Sequence, residues 1–87
     1  MLDQKIVFRV FPGADKEVIA LFCDTEKDCN PGNVMSYMHV GQHSEASKYL
    51  GRNLRLAKPG EYRALFSELT RIYAPEVRIV PVNRLKA

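Results

Sequence analysis

The sequence predicts an α+β domain: a three-stranded antiparallel meander, a short helix, a main amphipathic helix packed on the sheet, and a C-terminal strand. Three observations predict it. Short runs rich in β-branched and aromatic residues alternate with Pro-Gly turns up to Val40. One longer stretch, Pro59 to Tyr73, repeats apolar residues at helical spacing. The 87-residue length fits one small domain spanning 1–87.

The first strand is expected over residues 5–11, with Ile6, Phe8 and Val10 on one face and Lys5, Val7, Arg9 and Phe11 on the other. Pro12-Gly13-Ala14-Asp15 is turn chemistry, because Pro presets φ and Gly accepts the bend. Residues 17–23 return as a second, nearly continuous apolar strand, the pattern of a strand central in its sheet. A polar loop follows and ends in Asn30-Pro31-Gly32-Asn33, which fits a type II turn. The third strand is expected over 34–40. Val34, Ser36, Met38 and Val40 share one face, and Met35, Tyr37 and His39 the other.

Gly41 breaks that strand, and Ser44 is expected to cap a short helix over 45–50 that stops at Gly51. Residues 52–58 are basic and expected to be extended. Pro59 opens the main helix, where its missing N–H costs nothing. Tyr62, Leu65, Phe66, Leu69, Ile72 and Tyr73 form its apolar stripe, opposite Arg63, Ser67, Glu68 and Arg71. Pro75 ends it. Residues 77–82 form the last strand, with Pro81 marking an edge or a strand end. A helical crossover runs this strand in the same direction as the third. One helix covers one face of the sheet, so the other face is expected to be open or covered by a partner.

Composition narrows the function classes. Hydrophobic residues make up 46% of the chain, the level of a globular protein. No apolar run reaches the roughly 20 residues that span a bilayer. The start lacks the basic and apolar blocks of a secretory signal, so a cytoplasmic protein without membrane association is expected. The net charge of +3 is dispersed. Arg52, Arg55, Lys58 and Arg63 form the densest basic stretch, and Arg78, Arg84 and Lys86 make the C-terminal end basic. Such charges serve as solvated faces before they serve as an anion site. Cys23 and Cys29 are expected as thiols, Cys23 buried at the end of a strand and Cys29 in the loop.

Chemistry-bearing residues concentrate in Met35-Ser36-Tyr37-Met38-His39-Val40-Gly41-Gln42-His43-Ser44. Two histidines four apart share a face when both lie on one helix, but Gly41 between them removes that rationale. Adding the cysteines gives a spacing that departs from zinc-finger patterns, so no metal and no cofactor are expected. Neither a nucleophile elbow nor a phosphate loop occurs. If the helix covers Ile6, Phe8, Val10, Met38 and Val40, then Arg9, Phe11, Tyr37 and His39 share the open face. Aromatics and cations on an open sheet suit stacking or protein association.

The segment Ser36-Tyr37-x-His39-x-Gly41-Gln42-His43, with Ala46 and Pro59-x-Glu61-Tyr62-x-x-Leu65, resembles a family of small uncharacterised bacterial proteins. The resemblance covers most of the chain. It implies a hairpin before the Ser-Tyr-x-His-x-Gly-Gln-His core and a helix and strand after it, and it implies no activity. Members commonly read Thr-Pro-Glu-Glu-Tyr at the main helix start, where this chain has Lys58-Pro59-Gly60-Glu61-Tyr62. The missing Thr cap and the Gly predict a weaker helix start.

The expected function is a non-enzymatic binding or protein-interaction module, with a homodimer or another protein as partner. Its expected recognition surface is Arg9, Tyr37, His39, Gln42 and His43. The alternatives are a nucleic-acid-binding accessory protein and a metal- or histidine-dependent enzyme.

Overall fold

Leu2–Val10 forms β1, Val18–Phe22 β2, and Asn33–Tyr37 β3 in the computed structural model. The structure describes residues 2–13, 17–23, 25, 29–38 and 43–83, with the backbone alone at 50–52. Two further strands, β4 (His43–Ser47) and β5 (Arg55–Leu56), flank a short helix α1 (Lys48–Asn53). The main helix α2 (Pro59–Tyr73) leads into β6 (Val77–Val82). The class is α+β. The described strands form one six-stranded sheet ordered β4-β3-β2-β1-β5, with β6 also pairing β1.

The meander turns where local chemistry dictates. Gly32 has φ of 84° and the Asn33 N–H donates to the Asn30 carbonyl at 3.0 Å, the geometry of a type II turn with Pro31 before the glycine. β1 starts three residues earlier than its β-branched run, because Leu2 to Val7 pair in parallel with β6. The Arg78 guanidinium also grips Asp3 through two bonds of 3.1 and 2.9 Å across that pair.

The expected helix over 45–50 is corrected. Residues 43–47 are a strand paired with β3, and Ser47 instead of Ser44 caps α1 by accepting the Tyr49 N–H at 3.1 Å. Gly51 lies within α1, which runs on to Asn53. The polar composition of His43-Ser44-Glu45-Ala46-Ser47 hides the strand, which exists because β3 supplies its hydrogen bonds. Residues 52–58 are likewise not wholly extended, since α1 takes in 52 and 53, and only Arg55–Leu56 of the remainder forms a strand, β5.

At the start of α2 the absent Thr cap is replaced. The Glu61 carboxylate accepts the Lys58 N–H at 2.8 Å, and Arg55 holds the same carboxylate through bonds of 2.9 and 2.8 Å. The Arg55 guanidinium, with the Lys58 N–H, pulls the Glu61 pKa down to about 2.

Both faces of the sheet are covered. On one, Ile6, Phe8, Ala20, Phe22 and Tyr37 pack with Leu65 and Leu69 of α2 and Ile79 of β6. Phe8 stacks on Tyr62 at 4.4 Å between ring centroids. Ile72, expected in the apolar stripe, is exposed. On the other face, Val7, Ile19, Leu21, Cys23, Val34 and Ala46 pack with Leu54, joined by Phe11, Met38 and Val82. The open face expected from the single long helix is therefore not open. Cys23 is a buried thiol and Cys29 a half-buried one.

Candidate functional site

Register decides where the predicted residues point. Phe8 pairs with Ala20, and Ala20 with Tyr37, so Tyr37 lies on the same face as Phe8, against α2. Its side chain is 0% exposed. Arg9 is one residue out of phase and lies on the opposite face. Its guanidinium donates to the Leu54 carbonyl at 2.9 Å, and burial pushes its pKa down. Its Nε is shielded from solvent with no hydrogen-bond partner among the described residues. The expected surface joining Arg9 to Tyr37 is thus split by the sheet. His39 and Gln42 lie outside the described residues.

His43 does meet Tyr37. They are register partners across β3 and β4, and their rings are 4.7 Å apart. Phe22 sits edge-on to His43 at 6.1 Å, and Tyr73 is perpendicular to it at 6.1 Å. The His43 Nε2 and the Tyr73 hydroxyl are 2.8 Å apart, tying β4 to the end of α2. Burial, with Tyr37 adding to it, holds the Tyr73 hydroxyl above its ordinary pKa, so it stays protonated. In the neutral histidine tautomer whose Nε2 accepts from that hydroxyl, Nδ1 carries the remaining N–H.

Ser36 and Ser44 form the matching pair on the opposite face. The buried Ser36 hydroxyl lies 3.0 Å from the Ser44 carbonyl and 3.2 Å from its hydroxyl. Strand alternation sends Ser44 away from His43, so imidazole and hydroxyl do not form a base–nucleophile pair. Among the described residues, no three His, Cys, Asp or Glu side chains group as a metal ion requires. A groove of about 460 Å³ between the β1–β2 turn and the α1–β5 junction is lined by Phe11, Pro12, Leu54 and Arg55, among others. Of the predicted site residues that are described, Arg9, Tyr37 and His43, none lines it.

The least satisfied backbone of the site is the outer edge of β4. The Lys48 N–H donates to the Gly32 carbonyl at 2.9 Å, which fixes the alternation of the β3–β4 ladder. Val34–Ala46 and Ser36–Ser44 are then the hydrogen-bonded pairs. The N–H and C=O groups of His43 and Glu45 point away from β3, and among the described residues no strand lies beyond β4. The side chains of His43, Ser44 and Glu45 are all exposed. The Glu45 Oε1 accepts the Asn30 N–H at 3.2 Å and the Asn33 side-chain amide at 3.1 Å, which fixes the carboxylate and leaves Oε2 without a hydrogen bond among the described residues.

The sequence points to His43, and to Glu45 as an acid near it, but not to Tyr73 as the partner of His43. Tyr73 was visible only as one of the apolar stripe. Glu45 was assigned to a helix, although a strand reading of His43, Glu45 and Ser47 would have placed all three on one face. Compared with models of known families, with curated proteins and with solved structures, the chain finds no match. No helix among the described residues is long and apolar enough to cross a membrane.

Proposed function

We propose that this protein is a small non-enzymatic association module that binds another polypeptide chain along the outer edge of β4. One observation carries the reading. The sheet covers both of its faces yet ends in a strand whose His43 and Glu45 backbone groups turn outward, flanked by exposed polar side chains. An unpaired edge of this kind is a template for strand addition, in which backbone bonds give affinity and alternate side chains give selectivity. His43 is fixed by Tyr73 and Glu45 by Asn30 and Asn33, so the two side chains that would read a partner are already ordered. Kinship with the family that the Ser36-to-His43 motif resembles belongs to the same proposal.

The other readings have less behind them. A nucleic-acid role relied on Tyr37 as an exposed stacking platform, and Tyr37 is core. An enzymatic role relied on His39 or His43 reaching a metal, a nucleophile or an acid, and of these the described His43 reaches a tyrosine.

The test is selection of extended peptides from a random display library against the full chain, followed by amide chemical-shift mapping. Selected peptides should perturb His43, Glu45 and their neighbours, and lose binding to Glu45→Pro. That variant removes an outward N–H and leaves the β3 ladder intact. Peptides that map elsewhere, or bind Glu45→Pro equally well, contradict the reading.

A further inference from the structure

Resting on the association reading above, we propose that the partner is a second copy of this chain, joined β4 to β4 in antiparallel fashion about a two-fold axis through Ser44.

The register follows from two constraints. New backbone bonds can form only from outward-facing residues, which are His43, Glu45 and Ser47, and Ser47 is taken up in capping α1. A two-fold antiparallel pairing is centred on a single residue. Centring on Glu45 sets two carboxylates opposite each other, which is destabilising. Centring on Ser44 sets His43 of each copy opposite Glu45 of the other. Each of these His43–Glu45 pairs then exchanges two backbone hydrogen bonds.

The side chains complete the match. Nδ1 of His43 and Oε2 of Glu45 are the atoms that intramolecular bonds leave unused among the described residues. In the tautomer whose Nε2 accepts from Tyr73, Nδ1 is a donor to the Oε2 acceptor, and both residues lie on the α2 side of the sheet. The two-fold axis makes the pairing occur twice, as an isologous interface requires. A five-residue edge buries less than a standard interface, so the dimer is weak and concentration-dependent.

Sedimentation equilibrium of the full chain over a wide concentration series tests this, with circular dichroism confirming the fold of each variant. Wild type should shift from monomer to dimer. His43→Glu and Glu45→Lys should each weaken association, by about tenfold, because two cross-strand pairs are lost or made repulsive. The double variant should recover it, since Glu at 43 then faces Lys at 45. Glu45→Pro, which deletes an edge N–H without touching the β3 ladder, should be monomeric. A wild type that stays monomeric overturns the proposal. So do single variants that associate normally, a double variant that does not recover, or a Glu45→Gln variant that associates more tightly, the mark of the Glu45-centred register. If wild type is monomeric while selected peptides still map to β4, the homodimer fails and the association reading stands. If neither occurs, both fall.

Discussion

At one edge of the sheet, β6 pairs with β1 and carries Pro81; at the other, β4 carries no proline and no lysine. The Leu2 N–H donates to the Glu76 carbonyl at 3.0 Å, which turns the backbone groups of Val77, Ile79 and Pro81 away from β1. The proline therefore removes an N–H where a foreign strand would bond. Arg78 adds a charge to that strand, and α2 packs along it. β4 lacks the proline, and its one charged residue, Glu45, is complementary to its own histidine. The contrast teaches that exposure of an edge is not a general property of this sheet. One edge is blocked, and the other is left available.

Breaking the platform beneath the available edge gives the largest effect. Tyr37 is wholly buried next to β4, so Tyr37→Ala should cost about 3–5 kcal/mol, read from denaturant unfolding. That is a large share of the stability of a small domain. A surface role for Tyr37 would instead leave the unfolding midpoint nearly unchanged.

Removing the defence on the other edge should change assembly more than stability. Pro81→Val restores an outward N–H on β6 and gives the molecule two competent edges. Light scattering should then show species larger than a dimer, growing with concentration. The same scattering as wild type would mean that β6 is blocked by something other than Pro81.

A smaller effect comes from the bond between β4 and α2. Tyr73→Phe loses the 2.8 Å hydrogen bond to His43 and should cost about 1 kcal/mol or less in thermal or chemical unfolding. It should also loosen His43 and weaken association beyond what the stability change explains.

Acid should give the smallest effect on stability, and among the described residues it acts through Glu61 and Asp3. The Arg55 and Lys58 groups lower the Glu61 pKa to about 2 from its ordinary 4.5, and Arg78 lowers that of Asp3. Carboxylates with depressed pKa values contribute stability that is complete above their unfolded-state pKa and lost as pH falls through the folded one. Unfolding midpoints should therefore decline between about pH 4.5 and 2, with Glu61→Gln flattening the decline. An unchanged profile in that variant would contradict the role given to the Arg55–Glu61 pair.

Much of the frame was legible in the sequence because its signals are local. Pro31-Gly32 specifies its own turn. The spacing of Leu65 and Leu69 specifies α2, and Pro81 marks an edge. β4 was illegible because His43-Ser44-Glu45-Ala46-Ser47 has cap-like composition, and its strand state comes from pairing across a hairpin. Tyr37 shows a second kind of blindness. Its alternation with Ser36 was plain, but which of the two faces α2 depends on the Ala20–Tyr37 register. A slip of one residue reverses every side chain on a strand, and no local pattern fixes it. Among the described residues, the exposed site was legible at His43 alone, since Arg9 falls on the far face and Tyr37 is buried beneath it.

The central claim is that β4 turns its His43 and Glu45 backbone outward for another chain to bond. Amide hydrogen exchange, residue by residue at low and high protein concentration, measures this directly. Ser44 and Ala46, bonded to β3, should be protected at both concentrations. His43 and Glu45 should exchange freely in dilute solution and become protected in concentrated solution. Protection of His43 and Glu45 in the dilute monomer, or free exchange of both at high concentration and with selected peptides present, would contradict the account.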